Sequence, residues 1–301
     1  MMKYHVPVLL NESISGLSIK PEGTYLDLTY GGGGHSKEIL EKLGTKGKLI
    51  SFDRDESALS YSKINNMNLE LIKSNFKFFD NHIKERGIDK VDGILADLGV
   101  SSHQIDELER GFTYKGDTKL DMRMNISDSL DAVEIINTYD QEKLENIFFN
   151  YGNILNPRNI VREIIKQREK KRILNNKDFV IILNQIFNKE IGYKLLSKFF
   201  QAIRIEVNDE INALKIMLKK SAEYLNKKGR LVIISYHSLE DKIVKNFINK
   251  SSFSSDYKKD MYGIKEEFFF RVTKKPIVPS REEVKINPRS RSAKLRIGER
   301  L

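Results

Sequence analysis

Three carboxylates and a run of glycines carry the chemistry that this chain displays. The stretch Tyr25-Leu26-Asp27-Leu28-Thr29-Tyr30-Gly31-Gly32-Gly33-Gly34-His35-Ser36 reads as a short apolar strand, a glycine turn and a helix start. Consecutive glycines let a backbone turn sharply and approach a ligand closely. A helix start beyond them offers unpaired N–H groups and a partial positive charge. Asp27 sits inside the strand end, and Asp53 ends the next apolar run, 22 residues beyond Gly31. That is the usual distance from a glycine turn to an acid that binds a ribose diol. Asp97 ends another apolar run, Val91-Asp92-Gly93-Ile94-Leu95-Ala96-Asp97. A tight turn with no ligand would explain the glycines, but not acids at so many run ends.

The implied ligand differs from NAD. The sixth place counted from Gly31 is Ser36, where a dinucleotide fingerprint has its third glycine. An acid upstream of the turn repels a nucleotide phosphate and suits an ammonium group. S-adenosylmethionine has an ammonium, a ribose diol and no phosphate.

These residues need a frame that gathers strand ends. Strands are expected at 48–52, 69–72, 91–97 and 230–236, with helices at 36–43, 56–64, 78–86 and 237–248. Asn11-Glu12-Ser13 reads as a helix cap. Alternating strands and helices predict an α/β protein with a parallel, doubly wound sheet. Ligands of such sheets lie outside the carboxyl ends of the strands. Asp27, Gly33, Asp53, Phe76 and Asp97 all fall there. After Asp97 comes a loop through Gln104, and the next convincing strand begins only at Arg230. That gap far exceeds the dozen residues a crossover needs. A helix at 209–225 supplies the crossover, which leaves 105–205 as an inserted helical subdomain. Its helices are expected at 129–137, 140–151, 159–172 and 178–188. The domain reading is therefore 1–104 with 206–301 as the ligand-binding core, and 105–205 as the insert. Residues 251–263 read as a polar loop, and 268–273 with 293–297 as a closing hairpin.

The 301 residues carry a net charge of +10, from 52 basic and 42 acidic side chains. A basic balance favours nucleic acid or another anionic surface as partner; a lysine-rich composition is the plain alternative. Residues 162–177 hold seven basic and two acidic groups, a net of +5, and 281–300 hold seven and three, a net of +4. Alone, the first run is a solvated helix face; beside an active-site mouth it would face RNA. The chain has no cysteine, which excludes disulfides and thiolate metal sites. No cluster of metal-ligand type surrounds the glycine turn, so no metal is expected in the chemistry. No signal peptide or membrane-length apolar run is visible, so a cytoplasmic protein with no membrane partner is expected. A homodimer is compatible with the sequence.

Asp27 with Tyr30-Gly31-Gly32-Gly33-Gly34-His35-Ser36 is followed in order by further motifs: Phe52-Asp53-Arg54-Asp55, Ala96-Asp97-Leu98-Gly99-Val100-Ser101-Ser102-His103-Gln104, Gly111-Phe112-Thr113-Tyr114 and Leu120-Asp121-Met122-Arg123-Met124. Phe200-Gln201-Ala202-Ile203-Arg204-Ile205, Ser235-Tyr236-His237-Ser238-Leu239-Glu240-Asp241 and Asn287-Pro288-Arg289-Ser290-Arg291-Ser292 complete the set. Over nearly its whole length the chain resembles the bacterial 16S ribosomal RNA cytosine-N4 methyltransferase family of the MraW type. It departs where Asn153-Ile154 follow Tyr151-Gly152, since the family usually has acids there.

The resemblance implies a class I, Rossmann-like methyltransferase sheet with a helical insert that recognises the substrate. It implies S-adenosylmethionine as cofactor, and the exocyclic amine of one cytidine in the decoding region of 16S rRNA, within the small ribosomal subunit, as target. It implies a cofactor site of Gly33, Gly34, His35, Asp53, Phe76, Asp97 and Gln104. In that reading Asp53 accepts from the ribose hydroxyls and Phe76 lies against adenine, with Asn75 nearby. Gly33 and Gly34 admit the methionine part. Asp97 is the candidate acceptor for the amine hydrogens, and Tyr236 and His237 are candidates to stack the target base. Two competing readings are a nucleotide-dependent oxidoreductase and a non-catalytic RNA-binding module. The missing third glycine opposes the first, and the intact set of strand-end residues opposes the second.

Overall fold

The computed structural model describes residues 7–60, 62, 64–253 and 267–301. The chain divides into two compact units, Met1–Gly99 with Ile211–Leu301, and Val100–Glu210. The first unit begins α1 (Leu10–Leu17), β1 (Thr24–Asp27), α2 (Gly34–Lys42), β2 (Lys48–Asp53), α3 (Glu56–Ser60), β3 (Leu69–Lys73), α4 (Phe79–Glu85) and β4 (Val91–Asp97). The second unit follows as α5 (Ser102–Asp106), α6 (Ala132–Thr138), α7 (Gln141–Asn150), α8 (Arg158–Lys170), α9 (Asn176–Ile186) and α10 (Tyr193–Val207). The chain then continues as α11 (Glu210–Tyr224), β5 (Leu225–Ser235), α12 (Ser238–Lys250), β6 (Phe269–Arg271), α13 (Arg281–Ile286) and β7 (Lys294–Arg300).

The seven strands form one sheet in the order β3-β2-β1-β4-β5-β7-β6. Strands β1 to β5 are parallel; β7 runs antiparallel to β5 and to β6. Leu26, Ile50, Ile94 and Leu95 are fully buried, as are Leu231, Val232, Ile233 and Ile234. Such unbroken apolar runs belong to a parallel sheet covered on both faces. Chain order reverses where β1 meets β4, which is where such sheets open a crevice for ligands. The register sets Asp27 beside Ser51 and Leu95. Asp53 and Asp97 therefore each project two residues beyond the level of Asp27.

The doubly wound α/β reading holds, with differences at particular elements. The expected cap at Asn11-Glu12-Ser13 lies within the helix instead. The turn into α1 is made by Leu9, at φ 51°, whose N–H donates to Glu283 Oε1 at 2.8 Å. That acceptor is 274 residues away, beyond the reach of any local signal. The strand expected from Arg230 starts at Leu225. The two C-terminal strands pair as expected, but α13 stands between them, so their connection is not a tight hairpin. Of the helix expected at 56–64, residues 56–60 form α3, and Ser62 and Ile64 are not helical. From residue 254 onward the expected polar loop lies outside the described residues.

In the second unit, Phe148, Phe179 and Phe199 are fully buried, with Phe148 and Phe199 edge to face at 5.2 Å between ring centres. The Asn208 amide ties a loop to the helices: it accepts from Met124 N at 2.8 Å and donates to Met122 O at 2.8 Å. The four expected helices appear as α6 to α9. Helices α5 and α10 were not expected. Helix α10 buries Leu196, Phe199, Phe200, Ile203 and Val207 at helical spacing, but Gly192 at its start offers no side-chain cap.

Candidate active site at the strand ends

The glycine turn is held by its own acids. Gly31 N donates to Asp53 Oδ2 at 2.8 Å, and Asp55 N donates to Asp53 Oδ1 at 2.9 Å. Gly33 caps α2 at φ 75°, and a Cβ there would stand 2.5 Å from the Tyr30 hydroxyl. Gly34 opens α2 so close to Pro7 that a Cβ would overlap the proline ring. The turn is thus a bare backbone by necessity, with Asp53 bonded to it and partly exposed.

Asp27 is 1% exposed and faces inward. Its Oδ2 accepts from Ser36 Oγ at 2.6 Å and its Oδ1 from Thr29 N at 3.2 Å. Ser36 Oγ also lies 2.8 Å from Ser51 Oγ. Asp27 therefore pins α2 to β1 and β2; it does not present a carboxylate to an ammonium group. His35 is buried with Nε2 3.2 Å from Val8 O, so what it has to offer a ligand is its backbone. Burial lowers its pKa to about 4, which keeps the ring neutral.

Phe76 is half-buried in a short 3₁₀ turn beyond β3, capped by Asn75 Oδ1 accepting from Lys77 N at 3.1 Å. Ser74 N donates to Asp53 O at 2.9 Å, which brings this turn to the end of β2. At the end of β4, Asp97 N donates to Thr29 Oγ1 at 2.6 Å. The Tyr236 hydroxyl donates to Asp97 Oδ1 at 2.8 Å. Glu240 Oε2 accepts from Tyr236 N at 3.1 Å. His237 caps α12: its Nδ1 accepts from Glu240 N at 3.4 Å, and Nε2 lies 3.2 Å from Glu240 Oε1. That last approach is an ion-pair distance without hydrogen-bond alignment.

Burial raises the pKa of Asp27 and Asp53 to about 6, against the hydrogen bonds each accepts. Asp97 rises to about 7, through burial first and then the nearby charges of Asp27 and Glu240, while the Tyr236 hydrogen bond pulls the other way. Titratable groups so displaced, gathered at a sheet's ligand-binding edge, mark a functional site.

The structure thus gathers Gly33, Gly34, Asp53, Phe76 and Asp97 of the expected set at one sheet edge. Gln104 lies in the other unit, where its amide and Ser101 complete a capping box for α5. That unit also has two open cavities of about 290 and 230 Å³, lined in part by Phe187 with Lys198, and by Tyr139 with Glu206. Neither contains a strand-end residue. Sequence reasoning missed the Ser36–Asp27 tie and the Tyr236–Asp97 bond. A serine nine residues after an acid was the one available hint of the first; nothing local announces the second.

A model of the MraW methylase family matches residues 2–301. The chain belongs to the MraW methylase family. A protein of Phocaeicola vulgatus called ribosomal RNA small subunit methyltransferase H is 48% identical over 297 residues, 99% of this chain and 97% of that protein. Proteins with the same name from Bacteroides thetaiotaomicron and Flavobacterium psychrophilum are 47% and 48% identical, across 99% and 97% of this chain and 98% and 100% of theirs. This MraW methylase has the class I methyltransferase sheet, five parallel strands closed by an antiparallel β7.

The cofactor of such methylases is S-adenosylmethionine, and the residues present fit it. The Asp53 carboxylate takes one backbone N–H on each oxygen, which leaves lone pairs for the two hydroxyls of a diol. Around Gly32 a Cβ would meet nothing within 4 Å, so the turn is open on that side. Among the described residues no helix is long and apolar enough to cross a membrane.

Proposed function

We propose that this methylase transfers a methyl group to the exocyclic N4 of a specific cytidine in the decoding region of 16S rRNA. The single observation that carries the choice of an amine is Asp97. One carboxylate oxygen is held by Tyr236, and the other has no partner among the described residues. An acceptor so placed can take a hydrogen of an amine. The relatives named for the small ribosomal subunit support the RNA assignment. The absence of cysteine supports nitrogen over carbon, because methylation at C5 of a pyrimidine needs a thiolate to activate the ring.

When bound, S-adenosylmethionine supplies an electrophilic methyl group. Asp53 holds the ribose diol, Phe76 lines the adenine, and the bare turn at Gly33 and Gly34 lets the backbone approach the methionine portion. Cytosine N4 is a poor nucleophile, because its lone pair is delocalised into the ring. Asp97 accepts a hydrogen bond from the amine, turns the lone pair out of the ring plane and takes the proton that the nitrogen sheds. Positioning of this kind lowers the barrier without strong acid–base chemistry. His237 acts through its cap of α12. The Val100–Glu210 unit recognises RNA, with Arg158, Arg162, Lys166 and Lys170 spaced by four along α8 and exposed.

Deletion of the gene should remove one methyl group from small-subunit rRNA, restored by the wild-type chain, as read by nucleoside mass spectrometry. An unchanged rRNA would contradict the proposal. Calorimetry should show binding of S-adenosylmethionine and none of NAD, which sets the oxidoreductase reading aside.

Cofactor binding should depend on pH through Asp53. Its carboxyl is neutral below about 6 and charged above. A neutral acid is the weaker acceptor, so affinity should hold from pH 8 to 7 and fall below pH 6. The Asp53→Asn protein should show a flat profile at lower affinity; a wild-type profile that is flat from pH 8 to 5 would remove Asp53 from the site.

Reversal of Arg158, Arg162 and Lys170 to Glu should weaken RNA binding and flatten its salt dependence, by roughly 0.7–0.9 in log–log slope per lost phosphate contact. An unchanged slope with folded protein would place the RNA elsewhere.

A further inference from the structure

The geometry points to Tyr236 as a positioning residue that selects, through its hydroxyl, which oxygen of Asp97 meets the target amine. This rests on the reading of Asp97 given above. Tyr236 leaves β5 two residues past Ile234, the neighbour of Asp97 in the sheet register. Its hydroxyl reaches back to Asp97 Oδ1 at 2.8 Å, and its backbone N–H is fixed by Glu240 Oε2 at 3.1 Å. Glu240 is 3% exposed and belongs to the cap of α12. Tyr236 is thus anchored at both ends, with its hydroxyl committed to Asp97. On the other side Asp97 N is bonded to Thr29 Oγ1 at 2.6 Å. The Asp97 backbone is therefore tied to the loop after β1 and its carboxylate to Tyr236, with Oδ1 engaged and Oδ2 without a partner among the described residues.

The same bond favours the charged form of Asp97, against the burial that chiefly opposes it. The titratable groups facing it are Asp27 from β1, Glu240 from α12 and Tyr236 just past β5; Glu283 of α13 faces Tyr236 in turn. Both acids oppose ionisation of Asp97, and Tyr236 favours it. Burial and the Asp97 charge hold the phenol well above its ordinary pKa, so it stays a donor. Loss of the hydroxyl should therefore move the acid limb of the methylation rate to higher pH.

The test compares Tyr236→Phe, Asp97→Asn and the double variant in single-turnover methylation of small-subunit RNA, with cofactor affinity by calorimetry. Tyr236→Phe should bind S-adenosylmethionine within about twofold of wild type. It should lose about 10- to 150-fold in rate, the usual scale for a hydrogen bond to a charged group, and its acid limb should shift upward in pH. In the Asp97→Asn background the same substitution should cost nothing more. An equal loss in both backgrounds, or an unmoved acid limb, would overturn the positioning role and leave the Asp97 assignment standing. Normal turnover by Asp97→Asn would sink the Asp97 assignment, and this inference with it.

Discussion

Asp97→Asn is expected to keep most of its affinity for S-adenosylmethionine and to lose about 10²–10³ in methylation rate, the usual scale for removing preorganised electrostatic support. The swap preserves size and leaves one oxygen to accept from the Tyr236 hydroxyl. The amide NH₂ then stands where the free carboxylate oxygen stood, so a donor confronts the hydrogens of the target amine. The charge that draws those hydrogens and receives the shed proton is gone. Cofactor affinity and single-turnover rate measured on the same protein decide the matter. A fall in affinity equal to the fall in rate would make Asp97 a cofactor ligand only.

Asp53→Ala is expected to reduce cofactor affinity by about 10- to 150-fold, the equivalent of roughly 1.5–3 kcal/mol for a charged hydrogen bond. The substitution also frees Gly31 N and Asp55 N, so the glycine turn loses its tie to β2. Asp53→Asn keeps one acceptor for that tie and should fall between alanine and wild type. Calorimetry alongside thermal melts separates the two effects. Wild-type affinity in a folded Asp53→Ala protein would refute the ribose assignment.

The sheet was legible because its central strands carry buried apolar runs, and β1, β2 and β4 each end on an acid. Asp27, Asp53 and Asp97 marked those ends in the sequence, and the register places them along one edge. The direction in which each acid points was not legible. Asp27 reads as a ligand group for an ammonium, yet it is turned inward by Ser36, a contact that exists only once α2 is docked. His35 and His237 stand at helix starts in motifs of high specificity, and each ring has one nitrogen bonded to a backbone group. Tyr236 and Asp97 are 139 residues apart and meet only through the β4–β5 pairing. Helix α10 escaped notice because its apolar stripe carries neither a side-chain cap nor a glycine stop. Local patterns fix elements, whereas the orientation of a polar side chain is set by partners brought in from far along the chain.

The chemical identity of the product distinguishes this chemistry from every other methylation of the small subunit. Purified protein, incubated with isotopically labelled S-adenosylmethionine and small ribosomal subunits from the deletion strain, should label one nucleoside of the digested 16S rRNA. Chromatography with mass spectrometry should identify it as N4-methylcytidine, from a decoding-region fragment. Label recovered as 5-methylcytidine, in another nucleoside, or not at all would contradict the account.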